Sequence, residues 1–314
     1  MKKKKLLSLL KLLRPKQWIK NFAVFSAIVF NGELFDPDPL RKVLIAFFVF
    51  CALSSAIYVI NDFFDIEKDR LHPFKKFRPL ANKDVSIPLA LSLAAILIAA
   101  SFAVGFYVTP MFFFLIIFYV ILQFSYSLFL KHIAVADILI IASGYILRVY
   151  AGEFASGFHI SVWLLLTVIS LSLFLAVGKR RCELTLLSGS TSSAIKATRK
   201  SLSHYSERLL DVYASMFATS TFISYSLFTF LENSVNVRIS SIFLPDFLPT
   251  FFQRKWLMIT IIPVVYGIMR YLQDIYEKHE GESPEKVLLS DMPLLGTVII
   301  WALTVIGLVY FVGA

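Results

Sequence analysis

The sequence is poor in charge. Only 17% of its 314 residues are Asp, Glu, Lys or Arg, whereas 58% are hydrophobic and the mean hydropathy is +0.74. A soluble domain has about a quarter of its residues charged. Acidic residues are the scarcer kind, since 21 Asp and Glu face 31 Lys and Arg, for a net charge of +10. This composition excludes an ordinary cytosolic enzyme and indicates a chain that lies in lipid.

Several chemistries are also excluded by what is missing. The two cysteines, Cys51 and Cys182, lie in no CxxC or His-rich setting, so no disulfide framework, zinc site or redox centre is expected. The five histidines are scattered and form no pair at ligand spacing on a helix. The chain contains no Walker loop, no GxSxG elbow and no GxGxxG motif, so nucleotide-binding and serine-hydrolase classes are not predicted either.

Long apolar runs dominate instead. A spanning helix needs about 20 mostly apolar residues, and the sequence offers nine candidates, of which the first and fifth are the weakest by hydropathy. The candidates are roughly 18–32, 42–61, 87–107, 110–130, 134–151, 161–178, 213–231, 256–272 and 291–312. We predict an all-α fold, a polytopic membrane bundle of about nine transmembrane helices with a cytoplasmic polar cap. The chain is expected to form one integral membrane domain over 1–314, in which three segments lie outside the bilayer core: 1–17 as a basic interfacial segment, and 62–86 and 179–212 as cap segments.

The basic residues lie mostly on one side of these runs. The N-terminal segment and every second connection carry 25 Lys and Arg, whereas the alternate connections carry four. The positive-inside rule places the N-terminus in the cytoplasm, and nine crossings place Ala314 outside. The excess charge is therefore expected to meet anionic lipid or an anionic substrate, and not nucleic acid. Residues 232–255 are expected to form an external interfacial loop, and Ser188–Ser193 a flexible connector.

Three carboxylates follow one another on one helix face, where the second run ends. At about 100° per residue, Asp62, Asp65 and Asp69 fall within an arc of about 60°, and Asn61 extends the same face. Such crowded carboxylates repel one another. Hard oxygen ligands suit Mg²⁺, which takes one or two carboxylates together with substrate phosphate oxygens. The pattern predicts a Mg²⁺ site for a phosphorylated ligand. The alternative is a solvated acidic helix end neutralised by nearby Lys and Arg.

Further polar residues are expected at the same membrane level and could ring one cavity. Asp137 has no cation three or four residues away, so it needs a partner from another helix, a metal or water. Arg148 follows Asp137 by 11 residues, about 16 Å at helical rise, and is expected near the opposite side of the membrane. Lys and Arg at helix ends also anchor to headgroups, which is the alternative for many of these residues. The expected ring consists of Lys20, Asn21, Tyr126, Lys131, Asp137, Lys179, Arg180 and Glu183.

These motifs resemble those of the UbiA-type intramembrane prenyltransferase superfamily, whose members bind a prenyl diphosphate through Mg²⁺ on two Asp-rich helices. The pattern Asn61-Asp62-x-x-Asp65-x-x-x-Asp69 with Arg70, the nine runs and the polar cap carry the likeness over nearly the whole chain. Four stretches are similar to the decaprenyl-phosphate phosphoribosyltransferase branch: RPKQWIKN at 14–21, DRLHPFKKFRPLA at 69–81, YSxxLKH at 126–132 with Asp137, and GKRxxE at 178–183.

The resemblance implies Mg²⁺-dependent transfer of 5-phosphoribose from 5-phosphoribosyl 1-diphosphate to a polyprenyl phosphate, with release of diphosphate. It implies a prokaryotic plasma membrane and a site that faces the cytoplasm. The metal ligands are expected to be Asn61, Asp62, Asp65 and Asp69, of which the three Asp are catalytic. The residues expected to contact the substrates are Lys20, Asn21, Arg70, Lys75, Arg78, Tyr126, Lys131, Asp137, Lys179, Arg180 and Glu183.

One departure from the ordinary aromatic prenyltransferases favours the phosphoribosyl branch. Their second Asp-rich motif has carboxylates four residues apart, whereas here Asp137 is followed at that spacing by Ile141, and three consecutive cations stand at 179–181. Phosphoribosyl diphosphate brings about four to five negative charges and the lipid phosphate up to two, a load that a basic cap fits.

Two alternatives stay open at this point. The chain could be a prenyltransferase that joins a prenyl diphosphate to an aromatic or other acceptor at the same site. It could also be a membrane transporter, in which Asp137 and Arg148 mark an ion path. The position of the carboxylates at one membrane edge, away from the midplane, argues against transport. The sequence leaves open the acceptor's chain length and the oligomeric state, a homo-oligomer included.

Overall fold

We describe a computed structural model of the chain over residues 2–71, 75–188, 200–231, 256–278 and 284–312. All regular structure in these ranges is helical, which confirms the all-α prediction. The loop expected at 232–255 and most of the Ser-rich connector lie outside the described residues. The α-helices are α1 (Lys2–Leu13), α2 (Ser26–Phe30), α3 (Pro37–Phe64), α4 (Ile66–Leu71), α5 (Ile87–Val108), α6 (Pro110–Leu128), α7 (Ala136–Ser156), α8 (Val162–Ser188), α9 (Glu207–Leu231), α10 (Ile261–Gln273), α11 (Pro284–Ser290) and α12 (Met292–Gly307).

Within the described ranges, eight helical segments are long and apolar enough to cross a membrane. They coincide with eight of the nine predicted runs. The added residues lie at helix ends: α3 begins at Pro37, where Asp36 caps its first turn by accepting from the Asp38 amide at 3.1 Å. The eight segments are Pro37–Phe64, Ile87–Val108, Pro110–Leu128, Ala136–Ser156, Val162–Thr185, Glu207–Leu231, Trp256–Glu277 and Met292–Phe311.

The first predicted run, 18–32, does not form a long α-helix. Residues Pro15–Phe25 form 3₁₀ turns that continue into the short helix α2. Arg14, just before Pro15, adopts a left-handed conformation with φ 52° and separates these turns from α1. At about 2.0 Å per residue for 3₁₀ turns and 1.5 Å for α-helix, the segment covers about 30 Å, comparable with the hydrocarbon thickness of a bilayer. Its summed length is therefore sufficient for a span, although it is not one of the eight segments above.

Helices α3 and α7 occupy the interior of the bundle. α3 packs against α5 and α7, and α7 also packs against α6, α8 and the 3₁₀ segment. Gly152 permits that last contact, because a Cβ atom there would lie 1.8 Å from the carbonyl oxygen of Val24. The outer helices expose apolar side chains, such as Ile96 on α5 and Ile300 on α12, as lipid-facing helices do.

Helix α8 is longer than the sequence analysis predicted. The sixth run was expected to end at 178 and to pass into a cap segment, but the helix continues to Ser188. Residues 179–183 therefore project from a helix that packs against α7 and α9. The reason is local: this stretch contains no Gly or Pro after Gly178, and Arg180 has carboxylate partners that allow it to be buried.

Candidate functional site

The carboxylate face continues across the end of α3. The helix ends at Phe64, and α4 begins at Ile66. The amide of Asp65 nevertheless donates to the carbonyl of Asn61 at 3.1 Å, and the amide of Asp69 donates to the carbonyl of Asp65 at 2.8 Å. The helical phase is therefore kept through the junction. Asp62 is 2% exposed and Asp69 is 4% exposed, so these carboxylates do not form a solvated helix end.

Three cations bind the three carboxylates. Arg14 Nη2 lies 2.5 Å from Asp62 Oδ1, and Lys131 Nζ lies 2.8 Å from Asp65 Oδ1. Arg78 Nη1 bridges the other two, at 3.0 Å from Asp62 and 2.7 Å from Asp69. The turn Lys75–Phe77, which begins at the half-buried Lys75, returns the chain after α4 and places Arg78 beside these carboxylates. The cluster is thus charge-balanced, with one cation for each carboxylate.

Burial perturbs the Asp69 carboxyl. It raises the pKa of Asp69 above the ordinary value of 3.8, and the Arg78 guanidinium opposes that rise. The nearby Asp62 and Asp65 raise the pKa further, as like charges do. Neighbouring positive charge would favour the ionised form of this carboxylate.

The cluster fits Mg²⁺ in its donor chemistry. All its acidic groups offer hard oxygens, and one oxygen of each carboxylate already bonds a cation. In the described part of the chain, no group of three His, Cys, Asp or Glu is arranged to hold a metal by itself. Because Mg²⁺ commonly uses one or two carboxylates and completes its shell with waters and phosphate oxygens, these residues suit a metal that arrives with an anionic ligand.

A cavity of about 120 Å³, lined by both polar and apolar side chains, lies along α3 and α7, on the membrane side of the cluster. On α3, Ser54 and Tyr58 line it, and Tyr58 precedes Asp62 by one helical turn. On α7, its wall runs from Ile141, one turn after Asp137, to Arg148, three turns after it. The cavity and the cluster are therefore successive parts of the same helix faces.

Lysines from two other elements also line the cavity. Lys20 Nζ bonds Glu285 Oε2 at 2.9 Å and the amide oxygen of Gln17 at 2.8 Å. Although burial pushes the pKa of Glu285 upward, the Lys20 ammonium outweighs it and holds that pKa below the ordinary 4.5. Lys179 lines the cavity from α8, as Tyr126 does from α6. Three residues that the sequence placed in one ring, Lys20, Tyr126 and Lys179, thus share this cavity.

Asp137 has the partner from another helix that the sequence analysis called for. Its Oδ2 lies 2.8 Å from Arg180 Nε, with both side chains fully buried, and its Oδ1 accepts from the Tyr205 hydroxyl at 2.7 Å. Arg180 also pairs with Glu183 and donates to the Tyr126 hydroxyl at 3.1 Å. Two carboxylates therefore neutralise Arg180. Because its side chain has no exposed surface, its guanidinium is not placed to contact a substrate as expected.

Two other expected contact residues, Asn21 and Arg70, do not line the cavity. Asn21 is fully buried, and it donates to Cys51 Sγ at 3.2 Å and accepts from Arg148 Nε at 2.6 Å. Arg70 is exposed and donates to the carbonyl of Ala81 at 3.3 Å, so it holds the return of the chain after α4.

Arg148 lies 11 residues after Asp137 on the same helix, α7, as the spacing predicted. It is 5% exposed and lines the same cavity as Lys20 and Lys179. The sequence did not predict that a cavity would extend along α7 as far as this residue. Sequence reasoning also did not assign a site role to Arg14, Tyr205 or Glu285. Arg14 opens the RPKQWIKN stretch, which was the one signal that could have indicated it.

The fold and the site together define the class of protein. The apolar helices are those of an integral membrane protein. They surround a cavity that is lined by charged and polar side chains as well as apolar ones, with ion-paired carboxylates at one end of it. The UbiA prenyltransferase family model matches residues 22–292. The chain belongs to the UbiA prenyltransferase family, which confirms the resemblance, and it is a membrane-embedded transferase.

Curated relatives cover nearly the whole chain. The decaprenyl-phosphate phosphoribosyltransferase of Mycolicibacterium smegmatis is 38% identical over 96% of this chain and 92% of its own length. The enzyme of the same name from Corynebacterium glutamicum is 35% identical over 96% of this chain and 86% of its own length.

Solved structures share the fold. A UbiA homolog from Archaeoglobus fulgidus bound to GPP and Mg²⁺ superimposes with a TM-score of 0.69 at 18% identity, covering 96% of this chain and 99% of that chain. The same homolog bound to DMAPP and Mg²⁺ gives a TM-score of 0.70 at 17% identity and the same coverage. At this identity the likeness concerns the fold alone.

Proposed function

We propose that this protein transfers 5-phosphoribose from 5-phosphoribosyl 1-diphosphate to a polyprenyl phosphate and releases diphosphate. Two curated relatives that share 35–38% identity over 96% of the chain carry the name decaprenyl-phosphate phosphoribosyltransferase, which supports this reaction. The acceptor is a lipid, so it reaches the cavity from the bilayer, whereas the donor is water-soluble and comes from the cytoplasm.

The observation that carries the proposal is the environment of Asp137. A second Asp-rich metal motif would need another carboxylate four residues on, but Ile141 stands there on the cavity wall. Asp137 itself is neutralised by Arg180 at 2.8 Å. Among the described residues, the site therefore has a single cluster of Asp residues, at 62–69, which favours a donor other than the prenyl diphosphates that the double motif holds.

The excess of positive charge at the site favours an anionic donor. Phosphoribosyl diphosphate carries about four to five negative charges and the lipid phosphate up to two. The cationic side chains at the cluster and cavity outnumber the acidic ones there, Asp62, Asp65, Asp69 and Glu285. These cations are Arg14, Arg78, Lys131, Lys20, Lys179 and Arg148.

Asn61, Asp62, Asp65 and Asp69 would hold Mg²⁺ against the donor's diphosphate. When bound, the metal supplies charge neutralisation of the leaving diphosphate. Arg78 and Lys131 are placed to contact phosphate oxygens beside the carboxylates that they bind, and Arg78 contacts those carboxylates through Nη1 alone. The remaining donors of the Arg78 guanidinium can bond phosphate in the bidentate manner that Arg favours.

The reaction exchanges one bond at C1 of the ribose. The C1–O bond to diphosphate breaks, an oxocarbenium-like state develops, and an anionic oxygen of the lipid phosphate forms the new C1–O bond. The acceptor phosphate is ionised near pH 7, because its second pKa is about 6, so no strong general base is needed. Positioning and charge stabilisation by the cations then provide most of the catalysis.

Asp137, Arg180 and Glu183 act as positioning residues in this proposal. Their network joins α7, α8 and the Tyr126 hydroxyl, which lines the cavity. Arg70 and Asn21 hold neighbouring backbone and side chains in place. We further propose that the N-terminus and the site face the cytoplasm, since 25 Lys and Arg lie on that side of the predicted topology and four on the other.

Transfer of label tests the proposal. Purified protein is incubated with radiolabelled phosphoribosyl diphosphate and a polyprenyl phosphate, with and without Mg²⁺, and label in the lipid phase is measured. The test variant is Asp65→Asn, and the matched control is Asp84→Asn, an exposed carboxylate on the same connection. Metal-dependent transfer by the wild type and the control, absent in Asp65→Asn, is expected.

Two other outcomes would contradict the proposal. If no label moves while a prenyl diphosphate is consumed with an aromatic acceptor, the chain is a prenyltransferase. If Asp65→Asn transfers label as fast as the wild type, the carboxylate cluster is not the site.

A further inference from the structure

Arg148 is a buried cation without a carboxylate partner among the described residues. It is 5% exposed, and its hydrogen bonds go to neutral groups: the Asn21 side chain at 2.6 Å, the Tyr119 hydroxyl at 3.0 Å and the carbonyl of Gly144. The other deeply buried arginine, Arg180, has two carboxylates. A buried charge that lacks a counter-charge is costly, so this position requires an explanation.

The surroundings hold the guanidinium in one orientation. Asn21 is itself fixed by Ser54 and Cys51, at 3.4 and 3.2 Å. The rings of Tyr119 and Tyr145 lie 5.4 and 5.9 Å from the guanidinium carbon, within the range of cation–π attraction. Rigid placement of this kind is typical of a binding group, because little conformational freedom is lost when a ligand arrives.

The guanidinium has donors to spare, and they can reach the cavity. Three of its five N–H groups are used by Asn21, Gly144 and Tyr119. Arg148 lines the cavity, whose volume of about 120 Å³ is several times what one water needs. The lining of the cavity includes two further cations, Lys20 and Lys179. The cavity therefore offers a preorganised positive site with room for a group larger than water.

We infer that Arg148 forms the floor of an intramembrane subsite for a phosphomonoester. The inference rests on the proposed function for the source of the phosphomonoester. That source is either the donor's 5-phosphate or the phosphate of the lipid acceptor, and both groups have the same chemistry. A phosphate dianion supplies the missing counter-charge and accepts two parallel hydrogen bonds from a guanidinium. Arg148 bonds Asn21, which bonds Ser54, seven residues and about 10 Å of helix before Asn61. That distance is of the order spanned by a ribose ring and its ester bonds.

Direct binding tests this subsite. Dissociation constants of purified protein are measured by calorimetry for two probes: ribose 5-phosphate, and farnesyl phosphate as a short lipid phosphate. The variants are Arg148→Gln, and Arg148→Lys as the version that keeps the charge. The control is Arg270→Gln, whose residue pairs with Asp291 away from the cavity. Arg148→Gln is expected to weaken at least one probe about tenfold or more, the loss of a charge-assisted hydrogen bond, while the control binds as the wild type does.

The probes identify the source of the phosphate. Weaker binding of ribose 5-phosphate alone assigns the subsite to the donor, and weaker binding of farnesyl phosphate alone assigns it to the acceptor. If Arg148→Gln does not fold, Arg148→Lys decides, because a lysine cannot reproduce the planar two-donor contact. Unchanged dissociation constants for both probes in a folded variant would overturn the inference.

The result is separable from that of the proposed function. If the wild type transfers no phosphoribose but Arg148→Gln loses binding of a phosphomonoester, the subsite stands and the proposed reaction fails. If transfer occurs and Arg148→Gln retains both dissociation constants and both KM values, the reaction stands and the subsite fails.

Discussion

Removal of one member of the buried pair between Asp137 and Arg180 tests whether Asp137 holds the structure or a metal. Both side chains are fully buried, with a separation of 2.8 Å. Arg180→Gln leaves Asp137 as an uncompensated charge and should destabilise the protein by about 3–5 kcal/mol, the cost of breaking a buried pair. Glu183, the other partner, is 16% exposed and can turn toward water.

The double variant Asp137→Asn with Arg180→Gln should recover part of this loss. It removes both charges and keeps side chains of similar shape, so a coupling free energy of about 1–3 kcal/mol is expected between neighbours in one network. The neighbouring Arg181→Gln is the matched control. Its partners, Asp211 and Glu207, are 40% and 46% exposed, so its loss should cost no more than about 1 kcal/mol.

Unfolding in mixed detergent micelles, followed by tryptophan fluorescence, measures these differences, and label transfer is measured on the same samples. We expect the double variant to be more stable than Arg180→Gln and to retain transfer. The transfer rate of the double variant should fall by no more than about 10²-fold, which is the cost of misplacing reacting groups by about 1 Å. Additive destabilisation, or complete loss of transfer in a stable double variant, would refute a positioning role for Asp137.

Two further predictions concern packing and pH. Gly152→Ala places a Cβ 1.8 Å from the Val24 carbonyl oxygen and should lower the free energy of unfolding by about 1–3 kcal/mol, whereas Gly296→Ala, which meets open space, should not lower it. Burial raises the pKa of Asp69, so the folded state holds this proton more tightly than the unfolded state, and ionisation above pH 3.8 costs stability. Asp69→Asn should therefore raise the melting temperature at pH 7 without substrate, with a smaller gain near pH 4. The same variant should abolish transfer. A lower melting temperature than that of the wild type at pH 7 would contradict the prediction.

The helical spans and the carboxylate face were accessible from the sequence. The run predicted at 87–107 corresponds to Ile87–Val108, because bilayer thickness sets the length of an apolar run and polar residues mark its ends. The shared face of Asp62, Asp65 and Asp69 follows from the helical period, which persists across the junction at Asp65. Both are local properties of the chain, which a sequence displays directly.

Contacts between distant segments were not accessible. Arg14 meets Asp62 from 48 residues away, and Arg148 meets Asn21 from 127 residues away. No periodicity specifies which helices become neighbours, so Arg14 could equally have been a headgroup anchor and Arg148 a residue of the far side. The burial of Arg180 was hidden for the same reason, since it depends on Asp137 of another helix.

The form of the first run and the length of α8 also escaped prediction. Hydropathy does not separate a 3₁₀ segment from an α-helix, and the buried Asn21 lowers the apolar signal of residues 18–32 although it lies inside the protein. At 179–183 the charges predicted a helix end, but their ion pairs allow the helix to continue.

The most direct test of the central claim is a choice between donors. Purified protein in Mg²⁺ receives phosphoribosyl diphosphate, a prenyl diphosphate and a polyprenyl phosphate together, and mass spectrometry identifies the lipid products. Our account predicts a phosphoribosylated polyprenyl phosphate, diphosphate in equal amount and an unconsumed prenyl diphosphate. Consumption of the prenyl diphosphate with no ribose in the lipid fraction would contradict it.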